Sequence, residues 1–497
     1  MENGLLNWVL LALLVTALLY RQFLVFTRDV PDEYLNEQSV IESIRKPNEL
    51  AVHKSTKLDY SQGLRVGLGI RYSSYKLRNG NLYDIWELAM GHAKKDPTKS
   101  VFFDQKPVQI ARLNSLASQV RKLLSELASE EDIDEVCIHK NLVFSDPEAF
   151  TVLLACFTSQ TTVHIYDESC LDDQNGNTLD VQREEGDLVI YRGSRLVLNM
   201  TRTIDTDITN MSFVNEYSSE KDRGIALKVS CRANHMAMTS TNFVQTNLVS
   251  AVASCIKHFP PQHHISSDDR MAVLNNTASM EGLVNGLVKV LVSFVTGAEL
   301  HLASSLDTCV ALKPTIILAP TDVVSTMYKK PAGLDRLLKP HRLYSLACNR
   351  FSGLIQNKPH PDLRLVIAHR SIGSTSVSPD WRQISASLAA HVVEESGYFH
   401  AAGPILVSDF FDFRSFSREL SAQTRTHGAV AQSNELKLVN FDGVSGKIAA
   451  RGYNFGKAKT VMDKVGETIV TPDEDGFYQL PVQGRWGLDG CMYVMRV

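Results

Sequence analysis

The residues able to do chemistry are scattered rather than grouped. His258, His263 and His264 fall within one seven-residue stretch, but it is interrupted by Pro260 and Pro261 and lacks the regular ligand spacing of a zinc site, so it reads as a surface loop. Glu394 and Glu395 are adjacent, so a regular element sends them to opposite faces, which excludes a cooperating acid/base pair and leaves them as solvated carboxylates. The eight cysteines, at 137, 156, 170, 231, 255, 309, 348 and 491, include no C-x-x-C pair, which argues against a zinc ribbon and against a disulfide framework. No Walker loop, dinucleotide fingerprint or nucleophile elbow occurs.

The elements that would position such residues follow a clear order. Leu5 to Tyr20 carries no charge, and apolar character resumes from Phe23 to Phe26 after Arg21 and Gln22. From Leu5 to Phe26 a helix rises roughly 33 Å, about a bilayer core. The start, Met1-Glu2-Asn3, lacks the positive region of a cleavable signal, so residues 5–26 read as a transmembrane anchor rather than a signal peptide or buried core helix. Arg21 and Arg28 follow the segment and only Glu2 precedes it, which places the body in the cytosol. Sequons at Asn199, Asn210 and Asn275 would matter only for a lumenal body, and so offer a test of topology. The endoplasmic reticulum is the default membrane, with lipid droplet and mitochondrial outer membrane as rivals.

The remaining chain is long enough for two to four domains, with 44% hydrophobic residues among its 497. A net charge of −4 gives no electrostatic footprint for nucleic acid. Residues 27–80 are polar and read as a stalk packed onto the body. In 81–410, strand-length apolar runs (101–103, 136–139, 163–166, 188–191, 271–274, 300–303, 315–319, 363–368) alternate with helical segments (82–92, 110–127, 147–158, 241–259, 282–294, 381–392), which predicts mostly parallel sheets covered by helices. Asp146 before Pro147 is a cap with proline at the first helical position. Gly282-x-x-x-Gly286 is too short a stretch for a membrane span and is expected to pack on a sheet. Glycine turns after about residue 410 predict a small β subdomain over 411–497.

From about residue 82 onward this order resembles the adenylate-forming (AMP-binding) superfamily, which includes acyl-CoA synthetases, luciferases and peptide-synthetase adenylation domains. The resemblance is carried by Leu82-Tyr-Asp-Ile-Trp-Glu-Leu-Ala, Ser100-Val-Phe-Phe-Asp, Asp146-Pro-Glu-Ala-Phe, Asp269-Arg-Met-Ala-Val-Leu, Gly297-Ala-Glu-Leu-His-Leu, Lys313-Pro-Thr-Ile-Ile-Leu-Ala-Pro, Leu363-Arg-Leu-Val-Ile-Ala, Val377-Ser-Pro-Asp and Gly446-Lys-Ile-Ala-Ala-Arg-Gly-Tyr-Asn. It implies two αβ subdomains with mostly parallel sheets plus a small β subdomain, here preceded by one transmembrane helix.

The motifs that carry the family's chemistry differ. Its glycine-rich phosphate loop corresponds to Ala226–Thr239, which has no glycine and leaves Lys228, Ser230 and Arg232 as the residues able to touch a phosphate. The Tyr-Gly-x-Thr-Glu whose glutamate holds Mg²⁺ aligns with Ser396-Gly-Tyr-Phe-His400, and histidine is a poor ligand for a hard cation. The ribose-binding aspartate aligns with Val482. The chain stops at Val497, where the family continues into a mobile C-terminal domain. The resemblance therefore implies a degenerate, non-catalytic binding or scaffold module, with Lys228, Ser230, Arg232 and His400 as a vestigial nucleotide site and no cofactor or metal. Two alternatives stand: a divergent acyl- or aryl-CoA ligase using ATP, Mg²⁺ and CoA, and an acyl-chain or lipid carrier. The expected partners are the bilayer, a protein and an acyl ligand. On their own terms Lys228 and Arg232 read as surface charges, Phe399 and Val482 as core, and His400 as a hydrogen-bonded loop histidine.

Overall fold

The computed structural model describes residues 2–58, 63–71, 77–130, 133–167, 177–204, 224–233, 237–275, 278–328, 333–351, 360–374, 379–414, 424–462, 466–468 and 471–495. Cys170, the Asn210 sequon, the tail of the Asn275 sequon, Val377 and the side chain of Arg232 lie outside that set.

The N-terminal helix Glu2–Phe26 contains a 21-residue stretch, Leu6–Phe26, of mean hydropathy 2.1, long and apolar enough to cross a membrane. Leu6, Trp8, Leu13 and Leu19 lie exposed along it, whereas Leu24 near its end is fully buried against the body.

Two nine-stranded sheets form the body. The first runs in the order Arg195–Asn199, Asp187–Arg192, Thr178–Glu184, Glu135–His139, Thr162–Tyr166, Ile225–Ala233, Ala237–Val244, Lys457–Met462 and Gly466–Thr468. Its central strands are parallel, as with Val136 opposite Val163 and Leu227 opposite Val163. The second runs Ala429–Val430, Pro404–Val407, His391–Gly397, Leu365–Ser371, Ile316–Pro320, Arg270–Leu274, Glu299–Ala303, Ser100–Phe103 and Lys106–Gln109. It too is parallel except at its edges. Apolar runs such as Leu365–Ala368 follow from burial on both faces.

Helices Leu82–Lys95, Ile110–Glu130, Pro147–Ser159, Gln245–His258 and Met280–Thr296 share one core with both sheets. Trp381–Leu388 and the short helices Leu306–Ala311 and Thr321–Thr326 contribute to the core on the other side of the second sheet. The Asp146 carboxylate accepts from the Glu148 and Ala149 amides, so this cap is formed as its sequence predicts. A Cβ on Gly286 would lie 3.0 Å from the Phe144 ring and 3.5 Å from Val273 of the sheet, so this helix packs on the sheet, with tight room at Phe144.

Three boundaries depart from the sequence reading. The predicted helix 241–259 is a strand up to Val244 and a helix only from Gln245, because Thr241, Phe243 and Val244 pair with the Ile225–Ala233 strand in a hairpin. The third, antiparallel sheet is ordered Ser39–Ile41, His53–Ser55, Asn434–Val439, Gly446–Gly452, Tyr478–Trp486, Met492–Met495 and Thr424–Thr426. Part of the polar segment 27–80 therefore packs onto the body by adding two strands to this sheet. Conversely, Lys457–Met462, inside the expected β subdomain 411–497, pairs with Ala237–Val244 in the first sheet.

Candidate functional site

In an open α/β sheet, ligands sit at the carboxyl ends of the parallel strands. In the second sheet those ends present His369 and Arg370 from one strand and Glu394 to Gly397 from its neighbour. Helix Met280–Thr296, capped by the Ser279 side chain, starts beside them. Glu281, Asn285 and Lys289 are spaced four apart and so share one helix face. All three are buried in an otherwise apolar core.

Burying charge is tolerated only with a partner. Lys289 Nζ lies 2.5 Å from Glu395 Oε1 and 3.0 Å from Cys255 Sγ, and Asn285 donates to the other Glu395 oxygen at 3.1 Å. Burial opposes the charge on Lys289, but Cys255 and Glu395 outweigh it and its pKa lies above the ordinary lysine value. On the opposite face of the strand, Glu394 takes Arg370 at 2.8 Å and the Trp381 indole N–H at 2.7 Å. Glu394 and Glu395 point to different faces as their adjacency requires, but both are only 3% exposed, so the expectation of solvated carboxylates is wrong. A strand in the middle of a covered sheet buries both its faces.

Beside this pair, Glu281 Oε1 and His369 Nε2 stand 3.4 Å apart, and neither Glu281 Oε1 nor either His369 nitrogen makes a hydrogen bond among the described residues. A Cβ on Gly397 would fall 2.7 Å from Glu281 Oε1 and 2.8 Å from His369 Cε1. Gly397→Ala is therefore expected to destabilise the protein by about 1–3 kcal/mol, the cost of overpacking. Urea unfolding would read it, and a variant as stable as the parent would refute this packing.

The four residues expected to form a nucleotide site are not brought together. Lys228 and Ser230 alternate with Val229 on their strand and so face the opposite way. Thr241 pairs with Val229 across the hairpin and shares its face. It is Thr241 that meets His400, with Oγ1 2.5 Å from Nδ1. His400 is 4% exposed, its carbonyl accepts from the Gly456 amide, and burial lowers its pKa to about 4, leaving a neutral imidazole. Arg232 lies in the same strand as Lys228.

Lys228 is no free surface charge, since its ammonium lies 3.1 and 3.2 Å from the two oxygens of Glu135. His164 reaches Glu135 through Nδ1 at 3.2 Å and Ser230 Oγ through Nε2 at 2.8 Å, with Cys137 Sγ at 3.8 Å from Nδ1. Glu135, Cys137 and His164 thus hold ligand atoms within 4.8 Å of one another. Ser230, His164 and Glu135 also stand in the order of a hydrolase triad, but Ser230 has no exposed surface to meet a substrate. Lys228 and His164 already engage the carboxylate. Burial would raise the pKa of Glu135, yet His164 and Lys228 bring it down to about 2. The cluster is a closed polar network.

Among the described residues the histidine-rich loop gathers no comparable group of ligand atoms. His258 is half-buried, with its Nε2 3.1 Å from the Ser408 carbonyl, and His264 is exposed, as the surface reading has it. The His263 ring packs 4.6 Å from Phe410.

No family model matches the chain. An uncharacterized protein of Saccharomyces cerevisiae is 23% identical over 570 residues, spanning 98% of this chain and 99% of its own length. Among solved structures, o-succinylbenzoate CoA synthetase of Bacillus subtilis superposes with a TM-score of 0.57 at 14% identity, over 82% of this chain and 77% of that one. The N-terminal domain of FACL13 from Mycobacterium tuberculosis gives 0.57 at 13% identity, over 83% of this chain and 99% of that one. A luciferase-like enzyme of the mealworm Zophobas morio gives 0.56 at 12% identity, over 87% and 98%. The chain has the adenylate-forming fold.

Within the adenylate-forming fold the aligned motif positions are filled by packing. Val482 is buried in an apolar cluster with Ile372 and Leu480, its Cγ1 3.8 Å from where a Gly373 Cβ would lie. Phe399 packs against the main core, and His400 is closed off by Thr241 and the rings of Tyr398 and Phe399. The sequence reading missed Glu281, Asn285, Lys289, His369 and Glu395. Three of them carried a signal: polar residues at four-residue spacing in a helix that is otherwise apolar.

Proposed function

We propose that the chain is a membrane-anchored module on the adenylate-forming fold that binds or scaffolds rather than making acyl-adenylates. The observation that supports this is His400. The position that carries a Mg²⁺-binding glutamate in the resembling family holds a buried neutral imidazole, tied to Thr241 and unable to balance a triphosphate's charge. The exposed apolar surface of Leu6–Phe26 supports the anchor, and Arg21 and Arg28 beyond it support a cytosolic body.

A second reading, acyl-chain binding, is favoured by a separate cleft of 690 Å³ with an apolar floor of Leu113, Leu116 and Met200. Its acids are engaged, Asp104 by Ser304 and both Asp146 and Glu148 by Arg183, whereas Lys106 and Arg112 stand at its rim facing solvent.

Calorimetry on the full chain in lipid nanodiscs tests both readings. Mg-ATP and AMP are expected to give no binding heat at micromolar concentration. Micromolar nucleotide binding would overturn the non-catalytic reading and restore the ligase. Long-chain acyl-CoA that binds without nucleotide would support the acyl-binding cleft.

A further inference from the structure

The anchor does not leave the body at its last residue. Tyr20 stacks with Tyr344 at 6.4 Å and meets the His341 ring at 5.6 Å, both on helix Leu334–Ala347. Arg350 covers the ring of Phe23 at 5.1 Å, and Leu24 has no exposed surface. Past the helix end, the Asp29 amide donates to the Asn349 carbonyl and the Asp29 carboxylate accepts from the Phe351 amide. Anchor and body are joined by packing along nearly two turns, not by a tether.

The depth of these contacts matters. Tyr20 lies six residues, about 9 Å of helical rise, before Phe26. If the apolar stretch ends at the membrane boundary at Phe26, Tyr344 is drawn below that boundary. If the boundary is at Arg21, Tyr344 is level with it. In either case Tyr344 falls at the level of the headgroups or just below, where an interfacial helix sits about 5–10 Å deep.

Its faces suit that place. Lys339, Arg342, Ser345 and Leu346 turn inward, with Lys339 donating to Tyr328 and Arg342 to the Ala386 carbonyl. Leu337, His341 and Tyr344, at spacings of four and three, form the opposite stripe. Leu337 is 74% exposed and Tyr344 42% exposed. Leu337 lies one turn, about 6 Å, from His341 and two turns, about 10 Å, from Tyr344, the two residues that touch the anchor, and Arg336 beside it is exposed.

We propose that helix Leu334–Ala347 is an interfacial foot: it inserts Leu337 and Tyr344 into the headgroup and acyl boundary of the bilayer its anchor spans, and so holds the body at one fixed orientation. This rests on the membrane-anchor reading, and the test separates the two. The full chain is reconstituted in phosphatidylcholine vesicles containing a phospholipid with a photoactivatable diazirine near the glycerol end of its acyl chain, and labelled residues are mapped by mass spectrometry. Label is expected on residues 6–20, on Leu337 and on Tyr344, with none on the buried strand Leu365–Ser371. Label on the anchor with none on 334–347 would overturn the foot and leave the anchor standing. Absence of label from both would overturn the anchor and the foot with it. In Leu337→Glu, whose exposed position spares the core, label on 334–347 is expected to fall roughly tenfold while anchor label persists. Unchanged label there would also refute the proposal.

Discussion

Lys289→Met is expected to destabilise the body by about 3–5 kcal/mol, the cost of leaving a buried charge without its partner. Lys289 and Glu395 are 1% and 3% exposed, so bulk solvent does not reach the carboxylate, and among the described residues the Asn285 side chain would remain to it. The double variant Lys289→Met with Glu395→Gln is expected to recover most of the loss, because it removes both charges and methionine approximates the lysine stem in volume. Urea denaturation of the detergent-solubilised chain, followed through the emission of Trp86, Trp381 and Trp486, would measure both. A single variant as stable as the parent, or a double variant no better than the single, would refute the pairing.

Stability is expected to fall steeply as pH drops from about 6.5 to about 4. Burial holds both His53 and His400 at about 4 in the folded protein, whereas an unfolded histidine titrates near 6.5. Between those values the unfolded chain binds more protons, so the stabilisation present above pH 6.5 is lost as pH falls through the folded values. Fully expressed, each histidine contributes about 3 kcal/mol to this loss. His258 is depressed as well, by burial first and then by Lys57, and adds in the same direction. Glu135 extends the loss further: its stabilisation is complete above about pH 4.5 and disappears towards pH 2. Denaturant midpoints from pH 7.5 to 4 would show the slope. A flat profile would contradict the burial of these rings, and His53→Gln or His400→Gln should each make it shallower.

The layered αβ order was legible because its signals are local. Asp146 followed by Pro147 specifies a helix start within a few residues, and strands such as Leu365–Ser371 announce double-sided burial through composition. What stayed hidden depends on partners far along the chain. Nothing near Glu395 says that its cation is Lys289, 106 residues earlier in sequence. Likewise, the polar run containing His53 gives no hint that it adds a strand beside Leu436. Of the candidate nucleotide residues, Lys228, Ser230 and Arg232 lie on one hairpin and His400 lies outside it, and a hairpin has two faces. A one-residue difference in phase puts Lys228 and Ser230 on one of them and Thr241, with His400, on the other.

The pairing of His53 with Leu436 also sets a timetable for biogenesis. The N-terminal helix emerges from the ribosome first, but the strand that completes His53–Ser55 is made roughly 380 residues later. At 5–20 residues per second that interval is about 20–80 s. Throughout it, one edge of the His53–Ser55 strand waits unpaired, a template for wrong partners. The nascent protein should thus lean on chaperones until its C-terminal strands arrive, and shortening the chain from that end should harm the N-terminal strand His53–Ser55.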